Sequence, residues 1–361
     1  MTTRLAIGLM SGTSIDGIDA ALVETDGEGV VNPIAFMFFP YEPDFRPRLR
    51  AAMARALEMH APARDALIDA VEQESTGLHA MAVHRLLAAT HTRRDDVAVI
   101  GYHGQTIAHR PDRKWTWQIG DGATLKAATR IPVAFDFRSA DVAAGGQGAP
   151  LAPGYHRARS EELGRPLGVL NLGGVGNLTW FAADGTWGSF DTGPGNALID
   201  DWVRAHTGLG FDEDGKVAAS GMCHDNVLQT LADNPWFDAP PPKSLDRNAW
   251  DIGALRGLAP GDGAATLTAF TAETVRLALT HVPPIGRLLV TGGGRLNPVL
   301  MAELATRCGV PCDAVETVGW NGDALEAEAF AWLAVRVLDG KPLSWPETTG
   351  VPVAMAGGRV A

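Results

Sequence analysis

Apolar and polar positions are most regularly ordered at the start of the chain. Leu5, Ala6 and Ile7 enter a tight turn of Ser11, Gly12, Thr13 and Ser14, and a half-buried segment leaves through Ile18, Ala20, Leu22 and Val23. This predicts a β-hairpin, with residues 31–39 as a third antiparallel strand. From Arg64 to Thr90, Leu67, Ile68, Val71, Leu78, Met81, Val83, Leu86 and Leu87 recur at helical spacing, with Gly77 as a break point. Residues 97–102 form a short apolar strand ending in His103-Gly104-Gln105-Thr106. Residues 115–119 form another, ending at Gly120-Asp121-Gly122, and residues 131–135 a third, ending at Asp136-Phe137-Arg138. Strands that hand polar residues to a sheet's C-terminal edge are where open α/β folds bind ligands.

The stretch Gly145 to Pro153 (GGQGAPLAP) is the sharpest composition shift and the expected domain junction, after which the pattern restarts. A strand over 169–172, a turn at Gly173 to Asn177 and a returning strand over 178–181 echo the opening hairpin in shape, though not in letters. Residues 187–190 lead as a strand into Asp191-Thr192-Gly193-Pro194-Gly195-Asn196, followed by a helix over 197–203. A Pro-rich loop (235–242), a helix over 265–281, a strand over 287–290 and the turn Thr291-Gly292-Gly293-Gly294 come next. A helix then begins near Asn297, and an amphipathic helix spans 323–338. The Gly- and Pro-rich tail from Gly340 reads as partly mobile. The expected architecture is α/β, with two related domains covering 1–140 and 141–340 and the 341–361 tail joining the first.

At 361 residues two domains are the natural division, and 46% hydrophobic with 20% charged residues suits large buried cores. No apolar run approaches the length of a membrane span and no secretory signal opens the chain, so the expected compartment is cytoplasmic. A formal charge of −12 disfavours nucleic acid and anionic membranes as partners. The three cysteines form no disulfide framework, and Cys308 and Cys312 lack the further ligands of a metal set.

Gly210 to Lys216 has the spacing of a phosphate-binding P-loop, but Val217 replaces the metal-binding hydroxyl and Asp212, Glu213 and Asp214 would repel phosphates. A strand–GGG–helix at Gly292 lets a backbone approach a nucleotide closely, a plain tight turn being the alternative. In the opening hairpin, small hydroxyl residues can present N–H groups to phosphate, while Asp16 or Asp19 could serve a metal ion through water. An ordinary polar turn is the alternative there.

The string MSGTSxDGxDA, from Met10 to Ala20, resembles the first phosphate loop of the anhydro-N-acetylmuramic acid kinases, a branch of the actin, hexokinase and heat-shock ATPase superfamily. The resemblance extends to HGQT (103–106), DFR (136–138), GGQGAPL from Gly145, NLGGVGNLT from Asn171 and FDTGPGN from Phe190. It continues through PKS (242–244), TGGGRLNPVLM from Thr291 and EAEAFAWLA (326–334). Asn321-Gly322-Asp323 departs from the pattern, where a rigid residue such as Pro is expected.

The resemblance implies two actin-like (ribonuclease H-like) ATPase domains with an ATP and substrate cleft between them, and a homodimer as the family expectation. It implies ATP and Mg²⁺ as cofactors. Gly12, Thr13, Ser14, Ile15, Asp16, Gly17, Ile18 and Asp19 would form the first nucleotide loop, with Asp16 on the metal through water. Gly173, Gly174 and Asn177 would form the second loop, and Gly292, Gly293, Gly294 and Asn297 the adenosine contact. Asp191 corresponds to the catalytic base, expected to stay ionised with only a modest rise in pKa. His103, Gln105, Thr106, Asp121, Arg138 and Glu326 are sugar-binding candidates. For His103 a backbone-bonded strand-end role is open, and for Asp121, Asp136 and Glu326 a structural one. The implied reaction opens 1,6-anhydro-N-acetylmuramic acid with water and phosphorylates its 6-oxygen, in peptidoglycan recycling. An N-acetylhexosamine kinase of the same fold and a non-catalytic ATP-driven binding module are the rivals.

Overall fold

The computed structural model describes residues 2–12, 14–245 and 250–361, and the chain divides into two compact units. The first comprises residues 1–162 with 324–361, the second residues 163–323.

In the first unit, Arg4–Ser11 (β1), Gly17–Thr25 (β2) and Val31–Pro40 (β3) form an antiparallel meander, joined by Val97–Arg110 (β4), Trp115–Ile119 (β5) and Val133–Phe135 (β6). β4 lies parallel to both β1 and β6, so the sheet runs β3-β2-β1-β4-β6. In the second unit, Leu167–Leu172 (β7), Val175–Phe181 (β8) and Trp187–Pro194 (β9) form the meander. Leu288–Thr291 (β10) and Cys312–Ala314 (β11) add in parallel, giving β9-β8-β7-β10-β11. Both sheets thus share one strand order, and the expected repeat is present. The chain returns to the first unit, where Arg359–Val360 (β12) pairs with β6.

The inner strands carry nearly continuous apolar residues, as strands covered on both faces require. Ala6, Ile7 and Leu9 of β1 are fully buried, as are Leu170, Leu172, Leu288, Leu289 and Val290. The helix Leu325–Leu338 belongs to the first unit and not to the second domain expected from the sequence. Its backbone lies directly on β1 and β4: a Cβ on Gly8 would overlap the Ala327 carbonyl, and one on Gly101 the Phe330 carbonyl. Only glycine permits that approach.

The expected junction at Gly145–Pro153 also lies inside the first unit. Asp141, 3% exposed, accepts from the Gly148 N–H (2.6 Å), the Ser344 hydroxyl and the Thr349 hydroxyl (2.6 Å). The Gln147 N–H donates to the Thr349 carbonyl at 2.7 Å. The tail is therefore folded onto this loop, where the sequence suggests mobility. The long helix runs unbroken from Ala66 to Thr90 through Gly77, started by Asp65, whose carboxylate accepts from the Leu67 and Ile68 N–H groups.

Candidate active site

In the first unit, β4 does not stop at Tyr102. Gln105 lies opposite Ser11 and, on its other side, opposite Ile119, so the HGQT residues sit within a paired strand. Gln105 is fully buried. Its carbonyl accepts from the Ser11 hydroxyl (2.6 Å), and its amide donates to the Gly12 carbonyl (3.1 Å). Ser11 has one proton, already given to Gln105, so the Tyr41 hydroxyl at 2.7 Å is the donor to Ser11. Burial, the largest influence, pushes the Tyr41 phenol up to about 12.

The turn itself contains Ile15 at φ +58, an uncommon conformation for a β-branched residue, held by the Arg46 guanidinium on its carbonyl at 2.7 Å. The Ile15 and Ile18 side chains are 4% and 1% exposed and pack in the core, which leaves only their backbones for any contact at the surface. Thr13 lies outside the described residues. Ser14 donates to the exposed Asp16 carboxylate at 2.8 Å.

His103 is held on both ring nitrogens. Arg138 donates to Nε2 from Nε (3.1 Å) and Nη2 (3.0 Å), and since guanidinium only donates, Nδ1 carries the proton given to the Gly104 carbonyl at 2.8 Å. Burial, then the Arg138 charge, lowers the His103 pKa well below its ordinary value. His103 therefore holds Arg138 and has no ring nitrogen left for a sugar. Arg138 also donates to the Gly148 carbonyl (2.6 Å). Burial lowers its pKa to about 10, while the Glu326 and Asp141 charges raise it. Asp121 caps the helix Gly122–Thr129 through the Ala123 and Thr124 N–H groups, and Thr106 accepts from the Gln118 amide at 3.1 Å. A cavity of about 270 Å³ in this unit is lined by His103, Thr116, Gln118, Gly120, Asp136 and Arg359, among others.

In the second unit, Asp191 sits within β9 and does not end it. Thr291, Asn171, Asn177 and Asp191 lie directly opposite one another across β10, β7, β8 and β9, a continuous polar row across the sheet. Asp191 is gripped by the Pro-Lys-Ser segment, a motif visible in the sequence without a role. The Asp191 N–H donates to the Lys243 carbonyl (3.0 Å), and the Leu245 N–H donates to the carboxylate (2.8 Å). The residue keeps some exposed surface, yet the protein packed around its carboxyl pushes the pKa up to about 7, against the Leu245 hydrogen bond. That rise is far larger than the sequence suggests, because composition shows a carboxyl but not its enclosure.

The second glycine turn is tied to the helix that follows β9. The Asn196 N–H donates to the Gly173 carbonyl (2.8 Å), and the Gly195 and Ala197 N–H groups to Gly174 (3.0 and 3.3 Å). The Asn196 side chain donates to the Leu172 carbonyl at 2.9 Å. The third turn lies against the same point: a Cβ on Gly294 would stand 2.6 Å from Leu172 Cβ, whereas one on exposed Gly293 would only touch Asn196 Nδ2 at 3.6 Å. Asn297 caps the helix Pro298–Cys308 through the Val299 and Leu300 N–H groups. Arg295, its side chain 4% exposed, bridges Glu316 (2.8 Å) and Asp323 (2.9 Å) and donates to the Gly292 carbonyl (3.0 Å). Its guanidinium rests against Gly322, where a Cβ would overlap it, which explains why Asn321-Gly322-Asp323 departs from a rigid Pro. Arg295 and Asn196 follow the quoted glycine motifs immediately, but only the fold shows what they hold.

Two units of one strand order, each opened by a glycine-bearing hairpin, define the two-domain actin-like fold. A solved structure, component A of the (R)-2-hydroxyglutaryl-CoA dehydratase of Acidaminococcus fermentans, shares that fold with a TM-score of 0.51 at 11% identity, covering 92% of this chain and 98% of its own. The anhydro-N-acetylmuramic acid kinase family model matches residues 4–360, and the chain belongs to that family. It is 57% identical over 360 residues to the anhydro-N-acetylmuramic acid kinase of Rhizorhabdus wittichii, covering 99% of both chains. It is 52% identical over 361 residues to that of Paramagnetospirillum magneticum, covering 98% of this chain and 99% of the relative.

Proposed function

We propose that this kinase opens 1,6-anhydro-N-acetylmuramic acid with water and phosphorylates the released 6-oxygen from ATP, with Asp191 as the base. The observation that carries the reading is the Asp191 carboxylate, with its pKa near 7, on the polar row formed with Asn171 and Asn177. A base poised near working pH accepts a proton and is regenerated with comparable ease. Asp191 removes a proton from water as the water oxygen bonds to the anomeric carbon, on the face opposite the departing 6-oxygen. The bond from that carbon to the 6-oxygen breaks. The 6-oxygen takes the γ-phosphoryl group in place of a proton, so no general acid is needed, and ADP leaves.

Gly12, Ser14, Gly173, Gly174 and Gly293 supply the phosphate and nucleotide contacts, since an approaching ligand meets backbone rather than bulky side chains there. A single exposed carboxylate beside a hydroxyl, Asp16 with Ser14, is an oxygen donor set that suits Mg²⁺ held through its water shell. Among the described residues no group of three or more His, Cys, Asp or Glu is gathered for direct chelation. Mg²⁺ would neutralise phosphate charge. Arg138, oriented by His103, is the partner of the sugar's carboxylate, with Thr106 and Glu326 as further contacts.

We place the activity in the cytoplasm, in the recycling of cell-wall sugar. No helix among the described residues is long and apolar enough to cross a membrane. Product analysis after incubation with the anhydro sugar, ATP and Mg²⁺ tests the reading. One 6-phosphorylated, ring-opened product per ADP is expected, and equal phosphorylation of N-acetylglucosamine would overturn it.

A further inference from the structure

The HGQT segment contains a fully buried side chain whose shortest hydrogen bonds join it to Ser11 and to the Gly12 turn. We infer that Gln105 is a positioning residue for phosphoryl transfer, fixing the Gly12 turn from behind, and is not a sugar contact. The inference rests on reading that turn as the first phosphate loop.

The network has one direction. Tyr41 donates to Ser11, Ser11 donates to the Gln105 carbonyl, and the Gln105 amide donates to the Gly12 carbonyl. Ser11, Gln105 and Tyr41 are 1%, 0% and 5% exposed, so water cannot replace a lost partner without opening the core. The Ile15 N–H also donates to the Gly12 carbonyl (3.2 Å), so this one oxygen is held by the turn's own backbone and by β4, the strand beside β1 in the sheet. The turn needs such external fixing because Ile15 is held at positive φ, a conformation its own side chain opposes.

The side chain must be an amide. Glutamate is the same size and still accepts from Ser11, but it has no N–H for Gly12 and sets an oxygen against that carbonyl. Gln105 reaches the loop through the Gly12 carbonyl (3.1 Å); its amide also makes a longer hydrogen bond to the Thr106 carbonyl (3.4 Å), whose backbone the β4–β5 pairing holds independently, so its loss acts mainly on the phosphate-binding turn.

The test compares Gln105→Glu, Gln105→Ala and Ser11→Ala in the full chain by steady-state kinetics and amide hydrogen exchange. We expect kcat to fall about tenfold to a hundredfold in both Gln105 variants. KM for the anhydro sugar stays within about threefold, and exchange rises in residues 14–18. Ser11→Ala with Gln105→Ala is no worse than the poorer single variant, because both break one chain of bonds. A rise in sugar KM with kcat intact would overturn the inference in favour of direct sugar contact. Lowered melting temperature with unchanged kcat and KM would reduce Gln105 to a core residue and also overturn it. Gly12→Ala is the control for the underlying reading. Its Cβ has room (Ser14 Oγ at 3.5 Å), so the fold is kept. If ATP KM is unchanged in Gly12→Ala, the loop assignment itself fails; if it rises while the Gln105 variants stay normal, only the positioning role fails.

Discussion

The two glycine hairpins occupy equivalent places in equivalent sheets, yet they are held by opposite means. The β1–β2 turn is fixed largely by side chains brought from elsewhere: Gln105 on the Gly12 carbonyl, Tyr41 through Ser11, and Arg46 on the Ile15 carbonyl. The β7–β8 turn is fixed by backbone, with the Gly195, Asn196 and Ala197 N–H groups spent on Gly173 and Gly174. The rows across the two meanders differ in chemistry too. Met10, Asp19 and Phe38 lie opposite one another in the first, Asn171, Asn177 and Asp191 in the second. One architecture thus carries a side-chain-braced loop in one unit and a backbone-braced loop with a proton acceptor in the other.

The largest expected effect lies on the second row. Asp191→Asn should lower turnover about a thousandfold or more, read in a coupled ADP assay. The same change should stabilise the protein at pH 8 by up to about 4 kcal/mol, because ionising a carboxyl whose pKa is raised to about 7 costs folding energy. The gain should vanish below about pH 4, where both folded and unfolded forms hold the proton. In the wild type, kcat/KM should rise with pH around 7 and be about tenfold below its plateau at pH 6.

Next in size is a contrast in acid response between the units. His79, His103, His109 and His156, all in the first unit, are held neutral mainly by burial, with pKa values about 4 for all but His103, which is also well below normal. The unfolded chain takes up their protons below about pH 6.5 while the folded unit does not. The first unit should therefore lose several kcal/mol between pH 6.5 and 4.5. Asp191 acts in the opposite sense, since its folded pKa is raised: its contribution improves as pH falls from 7 to 4. Hydrogen exchange at pH 7 and 5 should show protection lost in residues 66–110 before residues 167–194.

Smaller effects test the two bracing modes directly. Gly195→Ala should cost about 3 kcal/mol in denaturant melts, because its Cβ would overlap the Gly173 carbonyl. Gly173→Ala, whose Cβ finds Val175 O at 3.7 Å, should melt normally. Tyr41→Phe removes only the outermost donor to Ser11 and should cost about 1 kcal/mol, with no counterpart in the other hairpin.

Much of this was legible in the chain. The hairpins and the repeat follow from apolar spacing and short glycine turns, which are local signals, whereas the reading of Asp191 as a base comes with the family resemblance of the FDTGPGN motif. What escaped was set by partners distant in sequence. Asp141 has little meaning in a linear reading, yet three donors from residues 148, 344 and 349 make it the anchor of the tail. His103 and Gln105 read as ligand contacts because polar residues after a strand usually face solvent; β5 extends the ladder past them and turns them inward. The helix Phe45–Leu57 has buried Phe45, Leu49, Ala52 and Ala56 at helical spacing, but the small alanines weaken that apolar signal. Asp191's raised pKa comes from burial of its carboxyl, which outweighs the lowering hydrogen bond from Leu245, and no local pattern foretells that enclosure.

The glycines that seat the helix Leu325–Leu338 on β1 and β4 bear on the order in which a nascent chain folds. The second unit is one continuous segment and is fully synthesised before that helix leaves the ribosome. The first sheet is made before the second unit but keeps an uncovered face, bare at Gly8 and Gly101, until the residues that follow the second unit are added. The earliest-born half is the last to mature, and its waiting apolar strands are the natural client surface for a holding chaperone during translation.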